Sequence, residues 1–163
     1  MKKSLGFLLC LVVTIGSLGG YCASERIALE SLQVEEARVR VYFTPELNSP
    51  IQYDQYKGKT PDPKKHRIVE YSVVVKNTGY RVKHFAIYEP VLDPSFYKLV
   101  INSGGSIPVN IPVGRKVRFL KSYFLTEGNP AEVERLAYQS KVRIVWEEGG
   151  KKWEKIVNVT PER

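Results

Sequence analysis

The residues from which this 163-residue chain could build a reactive site are few: two histidines, two cysteines, three aspartates and a pair of serines flanking glycines. His66 and His84 stand eighteen positions apart, and no cysteine pair has metal-ligand spacing. Asp54, Asp62 and Asp93 form no Asp-x-Asp loop, so neither a zinc nor a calcium site is expected. Both histidines read as exposed residues beside lysines. The run Asn102-Ser103-Gly104-Gly105-Ser106 sets two hydroxyls beside two glycines, which invites a nucleophile. No Gly-x-Ser-x-Gly elbow accompanies it, and a turn at Gly104-Gly105 accounts for the same residues. Phosphate-loop and dinucleotide fingerprints are missing as well. Glutamates sit close to bases, as Glu132 and Glu134 do to Arg135, which is the look of a solvated face. No catalytic, metal-binding or cofactor-binding residue is expected, and the chain reads as a non-enzyme. The enzymatic alternative is a hydrolase whose acidic pair lines a groove.

Basic residues are the larger inventory. Lys57, Lys59, Lys64, Lys65, His66 and Arg67 crowd one region, with Arg81, Lys83 and His84 soon after. Arg115, Lys116, Arg118 and Lys121 form a second group, and Tyr53, Tyr56 and Tyr80 are interleaved with the first. Cations hold phosphates and aromatic rings stack bases, so such a mix binds anionic polymers. The candidate anion-binding residues are Lys57, Lys59, Lys64, Lys65, Arg67, Arg81 and Lys83. The formal net charge of +8 also lies in the range that keeps an ordinary surface soluble. No single strand or helix is uniformly basic, so solubility explains these residues equally well.

The first segment determines which partners such a surface would meet. Lys2 and Lys3 precede an uncharged stretch from Leu5 to Gly20 rich in Leu, Val, Ile and Phe, and small residues follow before Glu25. This is the layout of a secretory signal peptide, and the apolar run is shorter than the roughly 20 residues of a spanning helix. Residues 1–22 are therefore expected to act as a signal peptide, or as a leader retained as an anchor. Everything after Cys22 is then exported to the cell envelope, periplasm or exterior. Export moves the expected partner from nucleic acid to a protein, a wall polymer or an anionic lipid. Cys22, directly after the apolar run, resembles the lipid-modified cysteine of bacterial lipoproteins. That pattern places a small residue before the cysteine, where this chain has Tyr21. Lipidation at Cys22 and a cleavage that leaves the cysteine without a role both stay open. Removing 22 residues leaves 141 and a net charge of +6, with no intramolecular disulfide available, so a hydrophobic core has to stabilise the fold.

Alternation supplies the elements. Val39, Val41 and Phe43 alternate with Arg38, Arg40 and Tyr42, and Val69, Tyr71, Val73 and Val75 with Glu70, Ser72 and Val74. Phe85 and Ile87, then Tyr97–Ile101, Ile107–Ile111 and Lys116–Leu125, continue the β-rich pattern between Gly, Pro, Asn and Ser turns. Glu25–Glu36 fits helix or strand, and Leu47–Lys65 reads as a long exposed connection. Val142, Ile144 and Trp146 lead into Gly149-Gly150, and Trp153 to Val159 returns, which predicts a tight hairpin. Its register sets Trp146 against Trp153, Glu147 against Lys152 and Glu148 against Lys151. Asn129, Pro130 and Glu132 open a helix to about Tyr138 with Val133, Leu136 and Ala137 on one face. The sequon Asn158-Val159-Thr160 reads as accidental behind a leader of bacterial type.

The run Val73-Val74-Val75-Lys76-Asn77-Thr78-Gly79 is similar to the strand and Asn-Thr-Gly turn of bacterial immunoglobulin-like domains, CARDB-type modules among them. Ile111-Pro112-Val113-Gly114 before Lys116–Leu125 looks like the turn that opens a later strand there. The resemblance covers about Arg67 to Val159 and implies a fold, with no functional residues carried over; such modules bind, space or assemble. The expected architecture is all-β: an immunoglobulin-like antiparallel β-sandwich with one short helix before the C-terminal hairpin, preceded by a signal segment. Residues 23–66 hold an N-terminal strand and the long connection, and 67–163 the sandwich core, with 38–43 contributing a strand. The expected function is an exported, non-enzymatic envelope module for binding or assembly.

Overall fold

The longest strand, β2 (His66–Asn77), runs through the centre of the protein, and both of its faces are buried. Alternation alone suggests a half-buried strand. Here Val69, Tyr71, Val73 and Val75 point into the main core, while Ile68, Glu70, Ser72 and Val74 on the opposite face are at most 5% exposed. The computed structural model describes residues 29–44, 62–119 and 122–162.

β1 (Leu32–Tyr42) lies antiparallel along β2, from Leu32 opposite Asn77 to Tyr42 opposite Ile68, with an irregularity between Val34 and Glu36. The ambiguous segment before Val39 is thus strand from Leu32 onward, and Phe43 falls just outside it. β6 (Lys116–Arg118) and β7 (Ser122–Glu127) share the other edge of β2 end to end, where alternation suggests one strand. β4 (Val100–Ser103) flanks β7, and β10 (Thr160–Pro161) runs parallel beside β1. The second sheet orders β5 (Val109–Ile111), β3 (Lys83–Val91), β8 (Lys141–Glu148) and β9 (Lys151–Asn158).

The two sheets share one core. Ala86 and Tyr88 of β3 and Val142, Ile144 and Trp146 of β8 meet the inward residues of β2. The Tyr88 hydroxyl donates to the Tyr71 carbonyl at 2.8 Å, a bond between sheets. Tyr71 also stands edge-on to Phe124, centroids 5.8 Å apart, and its hydroxyl lies 3.0 Å from Ser140 Oγ. Burial keeps these polar atoms from water, so the pairing recovers what desolvation costs.

The helices cap this core. α1 (Pro94–Tyr97) starts at Asp93, whose Oδ1 accepts the Ser95 N–H at 2.7 Å. The Asp93-Pro94 start converts part of the β-rich run Tyr97–Ile101 into a helical turn, since proline at the first helical position lacks only a donor that would go unused. α2 (Pro130–Tyr138) begins at Asn129, whose Oδ1 accepts the Ala131 N–H at 3.0 Å, and buries Val133, Leu136 and Ala137. The hairpin register matches expectation at all three pairs. Gly149 and Gly150 turn it at φ of 62° and 74°, the left-handed region that glycine enters without a Cβ clash. The aromatic pair and the two opposite-charge pairs each add roughly 0.2–1 kcal/mol.

The outer face of the larger sheet carries a second apolar cluster, Ile68 and Leu125 with Tyr42, Ile101 and Tyr123 against them. The Arg40 guanidinium sits 4.3 Å over the Tyr42 ring, and the Tyr42 hydroxyl donates to Glu70 Oε2 at 3.4 Å. Burial first, then the Glu70 carboxylate, pushes the Tyr42 phenol up to about 12, and burial pushes Tyr71 further up. Both phenols are thus harder to ionise folded than unfolded, so their stabilisation is complete below pH 10.0 and fades as pH rises past it. Thermal unfolding should show a melting temperature that declines from about pH 10 upward. A melting temperature unchanged from about pH 8 to pH 11 would contradict this packing of the two tyrosines.

Candidate functional site

Cys22, Lys57 and Lys59 lie outside the described residues. The remaining candidate cations do not form one patch. Lys64 and Lys65 are exposed in the turn entering β2, where Asp62 Oδ1 accepts the Lys64 N–H at 2.8 Å. Arg67 Nη1 donates to the carbonyls of Pro63 and His66, both at 2.7 Å, so its guanidinium folds back on its own turn. His66, expected at the surface, is only 8% exposed. Its Nδ1 accepts the Asp62 N–H at 2.9 Å, which makes it a lock for this turn. Arg81 follows the opposite end of β2. Ten strand residues at about 3.3 Å each separate the two groups by roughly 33 Å.

Lys83 also departs from its expected role. Its side chain has no exposed surface. Nζ donates to Ser31 Oγ at 2.7 Å and is ion-paired with Glu148 Oε2. Strict alternation with the inward-facing Ala86 and Tyr88 would point Lys83 outward, but the register of β3 shifts between Lys83 and Ala86, where Phe85 has a φ of 47°, and Lys83 faces inward beside Ser31 and the end of β8. An ammonium committed to a carboxylate and a hydroxyl cannot serve an external anion. Ser31 and Lys83 also have the spacing of a Ser–Lys dyad. Ser31 is 7% exposed and Lys83 fully buried, so a substrate carbonyl has no approach to the hydroxyl.

Asn77 stands next to this pair and is fully buried. Its Nδ2 donates to the carbonyls of Arg81 at 2.8 Å and Ile111 at 2.9 Å, and its Oδ1 accepts the Gly79 N–H at 3.0 Å. Its backbone N–H donates to the Arg115 carbonyl at 3.0 Å, and its carbonyl accepts the Gly114 N–H at 2.9 Å. Ser31 joins through its carbonyl, which accepts the Thr78 N–H at 2.8 Å. Gly79 is required here, because a Cβ would lie 2.7 Å from Ser31 Cβ.

One asparagine thus holds the β2–β3 and β5–β6 turns together, and the functional grouping changes with it. Arg81 belongs with Arg115 and Lys116, and not with Lys64, Lys65 and Arg67. Lys76 pairs opposite Lys116 in the same corner. Glu35 is ion-paired with Lys116 at 2.5 Å and Glu36 with Arg118 at 3.4 Å. Among the described residues neither Arg81 nor Arg115 has an acidic partner, and both are exposed. The Asn-Thr-Gly triplet was a sequence signal for this corner. The turn at Ile111-Pro112-Val113-Gly114 was legible too, but nothing in the sequence indicated that Asn77 meets Ile111, 34 residues away.

Among the described residues no group of three or more His, Cys, Asp or Glu could hold a metal ion. No helix among them is long and apolar enough to cross a membrane. Ser103 and Gly104 lie in and just after β4, with Gly104 so near the Tyr123 backbone that a Cβ would be 3.0 Å from its nitrogen. Compared with known proteins, the chain matches no protein-family model and no curated protein.

Removing one partner of a buried ion pair strands the other charge, whereas replacing both removes the desolvation cost as well. Lys83→Met should therefore lower urea-unfolding stability by about 3–5 kcal/mol, and the double variant Lys83→Met with Glu148→Leu should recover most of that loss. A single-variant loss under about 1 kcal/mol would contradict the buried pair.

Proposed function

We propose that this protein is an exported, non-enzymatic β-sandwich of the cell envelope, immunoglobulin-like in plan, that works as a binding or assembly module. The observation that carries this reading is the division of strands between sheets. β1, β2, β7 and β4 stand on one side and β3, β8 and β9 on the other, the same division as strands A, B, E, D and C, F, G of an immunoglobulin sandwich. One difference is that β5, beside β3, follows β4 in the chain, whereas a strand added beside C normally precedes D. The layout of residues 1–22 supports export, and their loss or acylation decides whether the module is free or held at a membrane through Cys22.

A second reading has its own observation. Asn77 sets the Arg81 and Arg115 backbones side by side at one end of the sandwich, with both side chains exposed. Two guanidiniums without acidic partners suit phosphate or carboxylate groups of an anionic lipid surface or wall polymer.

Intact mass and fractionation of the natively expressed protein, wild type beside Cys22→Ala, test the first reading. The expected species has lost its leader or gained acyl chains, with acylation and membrane partition both abolished in the variant. A full-length, unmodified chain in the soluble cytoplasmic fraction would overturn export. For the second reading, Arg81→Glu with Arg115→Glu should weaken binding to phosphatidylglycerol vesicles by about tenfold or more, since each cation near such a surface contributes about 1 kcal/mol. Wild-type binding should also fall steeply with salt. Binding that ignores salt and both substitutions would remove the anionic-surface reading.

A further inference from the structure

The outward face of the β3-β8-β9 sheet differs in charge from the rest of the molecule. Along β8, Val142, Ile144 and Trp146 point into the core, so Arg143, Val145 and Glu147 point out. Cross-strand register then places Ile87 and Glu89 of β3, and Lys152, Glu154 and Ile156 of β9, on the same face. Its charges are three acids, Glu89, Glu147 and Glu154, and three bases, Lys141, Arg143 and Lys152. They sum to zero on a chain whose formal net charge is +8. Arg143 Nη2 is 2.5 Å from Glu89 Oε2, so acid and base are interleaved along the face.

The apolar part lies among these charges. Ile87 and Val145 are register neighbours, and Ile156 is 52% exposed one row away. A groove of about 350 Å³ runs over Ile87, Val145 and the surrounding charges. β3 also carries the only non-glycine positive φ among the described residues, at Phe85 (47°), between His84 and Ile87, with the side chain 65% exposed.

We infer that this face binds a second copy of the same chain. Two copies with a net charge of +8 repel one another over most approaches. A face with equal numbers of interleaved acids and bases around an apolar centre is complementary to itself, which is what a two-fold interface requires. Three strands about 4.8 Å apart and eight residues long offer roughly 400 Å² in projection per copy, which is the size of a weak, transient contact. The inference does not rest on export or on anion binding.

The test is sedimentation equilibrium of the natively processed protein with reductant present, so that Cys22 cannot join two copies. At about 100 µM the wild type should sediment as a dimer at both about 0.05 and 0.5 M salt. Ile156→Asp, on an exposed edge-strand position, should sediment as a monomer while keeping its melting temperature. Tyr80→Asp makes the same chemical change at a residue 93% exposed in the β2–β3 turn, and should leave the dimer intact. A wild type that stays monomeric at both salts would overturn the inference. So would a dimer that survives Ile156→Asp, or one lost equally in both variants.

Discussion

A lysine ammonium without exposed surface has to be neutralised where it lies, and in this protein the groups that do so come from distant parts of the chain. Lys83 reaches Ser31 Oγ, 52 positions earlier, and Glu148, 65 positions later. Those two contacts fix the start of β1 and the end of β8 against the first residue of β3. Ser31 then accepts from Thr78, and Asn77 beside it binds the carbonyls of Arg81, Ile111 and Arg115. The β2–β3 turn, the β5–β6 turn and the β8–β9 hairpin are thereby gathered around one buried polar node. A half-satisfied network of this kind would be worse than an apolar one, which is why the whole end of the sandwich has to form together.

What the surface offers to partners depends on that arrangement. The node brings Arg81 next to Arg115, although 34 residues separate them, and withdraws Lys83 from solvent altogether. The net positive charge is therefore unevenly expressed. One end carries exposed arginines, while the outer face of the second sheet has acids and bases in balance. A basic protein divided in this way has one region suited to anions and another suited to its own copy. These are different physical demands, and they can be met at the same time because they lie on different surfaces.

The parts of this fold that were legible in the sequence are those set by neighbours in the chain. The hairpin register at Trp146 and Trp153 follows from a two-residue turn and strict alternation, and α2 from Asn129 and Pro130 at its start. Alternation identified β2 as a strand but not as a central one, since burial of its second face depends on what lies over Ile68 and Val74. The short helix after Asp93 was not read, although Asp93 and Pro94 open it, and it takes the first residue of the β-rich run Tyr97–Ile101. The functional grouping was least legible. Sequence proximity joined Lys64, Lys65, Arg67, Arg81 and Lys83 into one cluster. Most of β2 lies between the first three and the last two, and an inward-pointing position on β3 buries Lys83. The burial of His66 was missed because it closes a turn on the Asp62 backbone, a contact that its lysine neighbours in the chain do not reveal.

Native-state hydrogen exchange at the amides of Thr78, Gly79 and Gly114 measures the node directly, because each donates into it. The three lie in turns, where amides ordinarily exchange through small local openings. If the node holds the sandwich end together, they should exchange only with global unfolding, at the same free energy as the core amides of β2, and Lys83→Met should lower all of them together. Fast exchange at these three amides, independent of the stability of β2, would contradict it.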